Sequence, residues 1–143
     1  MADIVSKEQR SKIMGSIKAK SKLEDMVASE LWNRGIRFRR NVKSMYGTPD
    51  IALKKYKIVI FIDSCFFHFC PIHGRVPKSN QEFWLNKFEK NIERDRKVSR
   101  YYYEENWDIM RVWEHEIRKD FENTIRKIIN LINYKKKVYA NRF

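Results

Sequence analysis

The sequence predicts an α/β sandwich, a mixed sheet flanked by helices in a single domain. Three observations carry this. Apolar spacing switches from helical to alternating and back, giving the order α-α-β-β-β-α-β-α. The run Ile58-Val59-Ile60-Phe61-Ile62 is apolar on both faces, as a central strand covered from two sides must be. The chain has 143 residues, 43% hydrophobic and 14% aromatic, which is enough for one core; a chain of about 150 residues buries about 68–70% of its unfolded surface. Only 4 Gly and 3 Pro exclude a linker-like or collagen-like chain.

Ser6–Lys18 carries apolar residues at Ile13, Met14 and Ile17 among many cations, and reads as a short, exposed, basic helix. Ser21-Lys22-Leu23-Glu24 has the form of a capping box, predicting that a new helix starts there. Leu23, Met26, Val27, Glu30 and Leu31 then follow at helical spacing, with Gly35 as a stop. From Ile36 to Asn41 the period shortens toward two, predicting an Arg-rich strand. Gly47-Thr48-Pro49 is turn chemistry, since proline pushes Thr48 out of the helical region. Asp50–Leu53 and Tyr56–Asp63 read as strands around a Lys54-Lys55 turn.

Cys65–Lys78 reads as a loop. It holds both cysteines, two of the three histidines and two of the three prolines. Ser79-Asn80-Gln81-Glu82 resembles a second capping box, opening a long helix to about Glu105. Trp107–Trp113 alternates as a strand does. Asp120–Tyr134 places Phe121, Thr124, Ile125, Ile128, Ile129 and Ile132 on one helical face. Lys135–Phe143 reads as a basic tail, expected to fray.

The chain carries 31 Lys+Arg against 18 Asp+Glu, a net charge of +13, with a pI near 9.8. That balance favours a polyanionic partner, and nucleic acid is the obvious one; the bland alternative is a merely lysine-rich composition. No apolar run approaches the ~18 residues of a membrane span, and Met1–Lys12 has no hydrophobic signal core. Two cysteines are too few for a disulfide-stapled secreted scaffold. The expectation is a soluble cytoplasmic protein without a membrane partner.

Cys65, Cys70 and His73 form C-x4-C-x2-H, and His115 follows the Trp107–Trp113 strand. Two thiolates and two imidazoles make a complete tetrahedral set for zinc, leaving no open position. Such a site is structural, stapling a loop to the end of a strand. The competing reading is a pair of buried free thiols or a redox pair. His68 is not needed in that set and sits directly after the central strand, where α/β sites form. Asp50 stands at the bend between two strands, where a magnesium-dependent nuclease needs a carboxylate. Pro-Asp is also a common turn dipeptide. Glu24 can point at the same end of the sheet. Asp95 reads either as a solvated member of a charged helix face or as the group orienting His68.

Gly47-Thr48-Pro49-Asp50, the run Val59–Pro71, Glu82-Phe83-Trp84-Leu85, Asn91–Arg96 and Val112-Trp113-Glu114 together resemble the very-short-patch-repair mismatch endonuclease (Vsr) family. Arg10-Ser11-Lys12-Ile13-Met14 resembles its N-terminal arm. The resemblance runs from about Arg10 to Arg118, with the blocks in the family's order. It implies a PD-(D/E)xK (restriction-endonuclease-like) fold with a structural zinc, divided into a basic arm over 1–20, a nuclease domain over 21–134 and a basic tail over 135–143. The implied activity is a nick in one strand of double-stranded DNA, 5′ to the mispaired T of a T:G mismatch, by a monomer with mismatch-repair proteins as candidate partners.

Matched residue by residue, the resemblance implies that Asp50 and the main-chain carbonyl of Ile62 hold Mg2+. His68 would activate water, Asp95 would accept from its other nitrogen, and Glu24 would stand behind Asp50 near the ion's water. Cys65, Cys70, His73 and His115 match the zinc ligands. Phe66, Phe67 and Trp84 match an aromatic wedge entering the base stack at the mismatch, with Met14 pressing in from the minor groove. Without the resemblance, those three aromatics are core by default. A wedge fits mismatch choice because unstacking costs least at a mispaired step.

The sequence departs from the pattern in places. Ile62 stands where other branches of the fold have an acidic ligand, and no lysine follows two positions later. Asp63 should point to the face opposite the Ile62 side chain. Phe67 replaces a frequent Trp, Ser64 and Phe69 replace frequent glycines, and His115 replaces a frequent Cys. Two other readings stay open: a nuclease of the same fold with relaxed mismatch or other DNA specificity, and a non-catalytic, zinc-stapled DNA-binding module.

Overall fold

The computed structural model describes residues 6–141. Helix α1 (Lys7–Asn33) leads into strands β1 (Arg39–Arg40), β2 (Ile51–Leu53) and β3 (Ile58–Asp63), then α2 (Gln81–Glu104), β4 (Asp108–Trp113), α3 (Glu114–Lys119) and α4 (Phe121–Ala140). The four strands lie in chain order. β1, β2 and β3 pair antiparallel, and β4 lies parallel to β3. The mixed sheet flanked by helices is the architecture the sequence predicts.

β3 is buried at every residue, and its two faces feed two cores. Ile58, Ile60 and Ile62 meet Leu23, Val27 and Leu31 of α1, Ile117 of α3 and Ile125, Ile128 and Ile132 of α4. Val59 and Phe61 meet Val98 and Tyr102 of α2 on the other side. The period of two along β3 therefore separates a large aliphatic core from a smaller one that ends, at Asp63, in polar groups.

The predicted break between two N-terminal helices does not exist. α1 is one helix of 27 residues, capped at Ser6 by reciprocal bonds with Gln9, and Ser21 is an exposed residue in its middle. Nothing between Lys18 and Lys22 interrupts the ladder, and each added residue gains a hydrogen bond once a helix is nucleated. The capping box at Ser79 is not made either. The N-cap is Asn80 in the left-handed region (φ 57), so Glu82 falls one position short of where a box needs it. The Ile36–Asn41 strand shrinks to Arg39–Arg40, ended by Asn41 at φ 46.

The frayed tail is also corrected, since α4 continues to Ala140. Its last turns dock: Lys135 pairs with Asp108 at 3.3 Å, and Tyr139 meets Tyr56 edge-on with centroids 5.8 Å apart. Residues 142 and 143 of the expected tail, like Met1–Val5 of the arm, lie outside the described residues. Among the described residues, no helix is long and apolar enough to cross a membrane.

Candidate active site and metal centre

The turn before β2 aims Asp50 at β3. Gly47 takes φ +75 beneath α2, where a Cβ would stand 2.7 Å from Val98 Cγ1, so this corner admits only glycine. The Asp50 carbonyl accepts from the Asn41 amide at 3.1 Å, and Asp50 Oδ2 accepts from the Ile62 amide at 2.7 Å. The carboxylate is thus held against the Ile62 amide; the group the resemblance names beside Asp50 is the Ile62 carbonyl.

From α1, Glu24 and Lys20 reach the same carboxylate. Lys20 Nζ lies 3.4 Å from Asp50 Oδ1 and 3.8 Å from Glu24 Oε2. Burial first, and then the Asp50 charge, push the Glu24 carboxyl up from 4.5 to about 7, with Lys20 pulling the other way.

His68 follows β3 on a wound loop. Its amide donates to the Ser64 carbonyl at 3.1 Å, the Cys70 amide to the Cys65 carbonyl at 3.0 Å, and Ser64 Oγ accepts from the amides of Phe66 and Phe67 at 3.2 Å each. Asn91 of α2 donates to the Phe67 carbonyl at 3.0 Å, and the Cys65 amide donates to Glu114 Oε1 at 3.1 Å. The loop is therefore tied to two helices. It delivers His68 Nδ1 onto Asp95 Oδ2 of α2 in a short contact. Asp95 is thereby a partner of His68 and not a solvated helix-face residue.

Besides Lys20, two residues of this site, Asp63 and Arg111, went unassigned in the sequence. Asp63 does alternate with Ile62, but its side is the cleft side, because Asp50 lies across from Phe61 by the β2–β3 register. Arg111 of β4, paired with Phe61, donates to both Asp63 oxygens at 3.0 and 3.1 Å and to the Asp95 carbonyl at 3.2 Å. Asp63 Oδ1 is 3.7 Å from His68 Nε2. Burial pushes the Asp63 carboxyl up, against the pull of His68 and Arg111. The signal for both was the strand period. Lys20, Asp50, Asp63, His68, Asp95 and Arg111 together line an open cleft of about 300 Å³.

Behind the loop, Cys65, Cys70, His73 and His115 converge, one ligand atom from each lying within 4.8 Å of all the others. His115 Nδ1 is 3.4 Å from Cys65 Sγ and 3.5 Å from Cys70 Sγ, and His73 Nδ1 is 3.9 Å from Cys70 Sγ. Sulfur–nitrogen edges of roughly 3.5 Å follow from tetrahedral zinc with its usual bond lengths, so the donor set fits. Burial pushes the Cys65 thiol up to about 11, and an ion held there must displace its proton. His115 lies in the first turn of α3, a helix the sequence did not predict.

The aromatic residues divide. Phe66 and Phe67 are half-buried, with Lys12 5.8 Å from the Phe66 centroid and Lys87 5.9 Å from that of Phe67. Trp84 has only 1% of its surface exposed, enclosed by Phe66, Phe88 and Phe83. Without DNA, Trp84 is thus packed in the core beside Phe66, not presented as a free wedge surface. Met14 is exposed on α1.

A buried carboxylate, a carboxylate-held imidazole and flanking cations in one open cleft suit hydrolysis of a phosphodiester. Known proteins agree. A model of the family described as DNA mismatch endonuclease Vsr matches residues 2–72. A type II nicking enzyme of Haemophilus parainfluenzae is 43% identical over 124 residues, covering 84% of this chain and 88% of that protein. Another from Neisseria meningitidis serogroup A is 42% identical over 121 residues, 82% of this chain and 86% of its own. The DNA mismatch endonuclease Vsr of Escherichia coli K12 is 39% identical over 121 residues, 82% of this chain and 77% of its own. The protein is a DNA endonuclease. Within that class, it belongs to the Vsr family.

Proposed function

We propose that this chain is a magnesium-dependent, strand-specific mismatch endonuclease of the PD-(D/E)xK fold, hydrolysing the phosphodiester 5′ to the mispaired T of a T:G mismatch. The observation that carries the reading is the convergence of Asp50 and the His68–Asp95 pair on one cleft at the end of β3.

Asp50, with the Ile62 carbonyl, would hold Mg2+, which when bound supplies positive charge to the phosphate as negative charge builds on it. His68 is the base. With Nδ1–H donating to Asp95, Nε2 carries a free lone pair, and the Asp63 carboxylate, itself an acceptor, stands 3.7 Å away, beyond hydrogen-bond distance. A water between Nε2 and the phosphorus would give one proton to His68 as its oxygen adds, and the bridging P–O bond would break with its electron pair on the leaving oxygen, which takes a proton from the solvent of the open cleft. Asp95 fixes the tautomer, and Arg111 fixes Asp95 and Asp63. Glu24 stands behind Asp50. Cys65, Cys70, His73 and His115 would hold a structural zinc that keeps the His68 loop in shape. Phe66 and Phe67, backed by Trp84, would enter the base stack, and Met14 would press from the minor groove. The enzyme would work as a cytoplasmic monomer, with mismatch-repair proteins as candidate partners.

The test is a panel of duplexes holding each single mismatch, with Mg2+ present. The parent should nick one strand at T:G, and Asp50→Ala and His68→Ala should each slow nicking by about 10²–10⁴-fold. Variants nicking at the parental rate would end the assignment. A second reading, an endonuclease with relaxed mismatch or sequence context, is favoured by the identity to nicking enzymes being as high as that to the mismatch endonuclease. It predicts comparable nicking at several mismatches or flanks. A non-catalytic DNA-binding module predicts steeply salt-dependent binding and no product.

A further inference from the structure

Lys20 occupies the place between two carboxylates where a cation belongs. It leaves α1 one turn before Glu24, and its Nζ is 3.4 Å from Asp50 Oδ1 and 3.8 Å from Glu24 Oε2. Both distances exceed the roughly 2.7–2.9 Å of a charge-assisted hydrogen bond. The ammonium neutralises the pair without being locked to either oxygen. Asp50 and Glu24 keep only 7% and 12% of their side chains exposed, whereas Lys20 keeps 30%. The carboxylates are thus fixed, and the cation between them hangs on a flexible stem that reaches solvent. Two residues after Ile62 the chain has Ser64, so the positive charge beside Asp50 comes from a helix and not from β3.

We propose that Lys20 is the resident counter-cation of the Asp50–Glu24 pair. It fills the divalent-ion position in the protein without the ion, withdraws toward the mouth of the cleft when the ion binds, and so sets how tightly magnesium is held. This rests on the reading of Asp50 as a magnesium carboxylate. Magnesium lies about 2.0–2.1 Å from its oxygen ligands, and an ammonium at 3.4 Å from the same oxygen cannot stay beside it. Lys20 removes the repulsion between two enclosed carboxylates, and its presence weakens metal binding. Withdrawn, the ammonium stands at the mouth of a cleft facing a polyanionic substrate, where its charge remains favourable.

The experiment uses the full chain without DNA at pH 8, with Mg2+ alone as probe, read by calorimetry and by the Mg2+-induced change in Tm. Parent, Lys20→Met, Lys20→Arg and Asp50→Ala are compared. Lys20→Met should bind Mg2+ roughly tenfold more tightly, equal to about 1.4 kcal/mol. It should also melt below the parent without Mg2+ and gain more on its addition. Lys20→Arg, which keeps the charge, should stay within about threefold of the parent. Asp50→Ala should lose the binding. If Asp50→Ala loses binding while Lys20→Met binds no more tightly than the parent, Lys20 is not the counter-cation and the Asp50 site stands. If Asp50→Ala binds like the parent, the magnesium reading of Asp50 itself falls. The melting curve of each variant reports whether it is folded.

Discussion

Replacing Glu24 by Gln tests the electrostatics of the cleft without any substrate. The Glu24 carboxyl is raised from 4.5 to about 7, by burial first and the Asp50 charge second. Between those two pH values the folded protein holds a proton that the unfolded chain has released. The stability this gives is fully present below about pH 4.5 and is lost as the pH climbs through about 7. At about 1.36 kcal/mol per pH unit, the gap is worth about 3 kcal/mol. The side chain keeps 12% of its surface exposed, with Lys20 beside it, so screening takes part of this. Glutamine keeps the shape and cannot ionise, so Glu24→Gln lacks this loss. Melting curves from pH 4 to 8.5, without added magnesium, should show the variant gaining on the parent by about 2–3 kcal/mol, or roughly 5–10 °C, as pH rises. Added Mg2+ should narrow the gap by favouring the ionised parent. Parallel curves for the two proteins would refute the enclosed carboxylate pair.

The metal and aromatic groups make further measurable claims. Cys70→Ser, or a strong chelator, should lower Tm by roughly 5–10 °C and abolish nicking, because Cys70 joins the loop holding His68 to His115 at the start of α3; an unchanged melting curve would remove the structural ion. Trp84→Ala should cost about 3–5 kcal/mol of stability with or without DNA, as a buried tryptophan does. Phe66→Ala and Phe67→Ala should leave stability closer to the parent's and instead narrow the ratio of mismatched to matched nicking. If Trp84→Ala proves as stable as the parent, the tryptophan is free to serve as a wedge after all.

The pieces of the fold that were legible are those that one periodicity governs. β3 could be read because five apolar residues in a row leave only a two-sided strand, and the α4 face because Ile125, Ile128 and Ile132 share one side of any helix. The clustering of Cys65, Cys70, His73 and His115 could be read from residue types alone. What escaped depended on competition between local signals. Ser21 and Glu24 make a good capping box, but Ser6 and Gln9 make one earlier, and the helix already running from there has no reason to stop. Lys135–Ala140 looked like solvated charge, yet Tyr139 and Lys135 find Tyr56 and Asp108 from elsewhere in the chain. Phe69 at φ +48 shows the converse: the resemblance marks glycine as frequent there, and the backbone gives the reason.

Joining the two predicted N-terminal helices changes what the site is. Met14, expected to press on DNA, and Lys20 and Glu24, facing Asp50, all stand on one unbroken helix. Ten residues of α-helix separate Met14 from Glu24, about 15 Å along a stiff rod. Leu23, Val27 and Leu31 anchor the C-terminal half of that rod in the main core. Its N-terminal half rests against the aromatic cluster through Lys12 and the walls of a cleft shared by Gln9 and Trp84. A load on Met14 would bear on the turn that carries Lys20, beside Asp50 and Glu24, before it reaches the anchored half. An arm joined by a flexible linker at residue 20 would transmit nothing. If Met14 presses on DNA as proposed, the continuity of the helix would give that contact a direct mechanical route to the charge balance around Asp50, which a division of the chain into arm and domain would not supply.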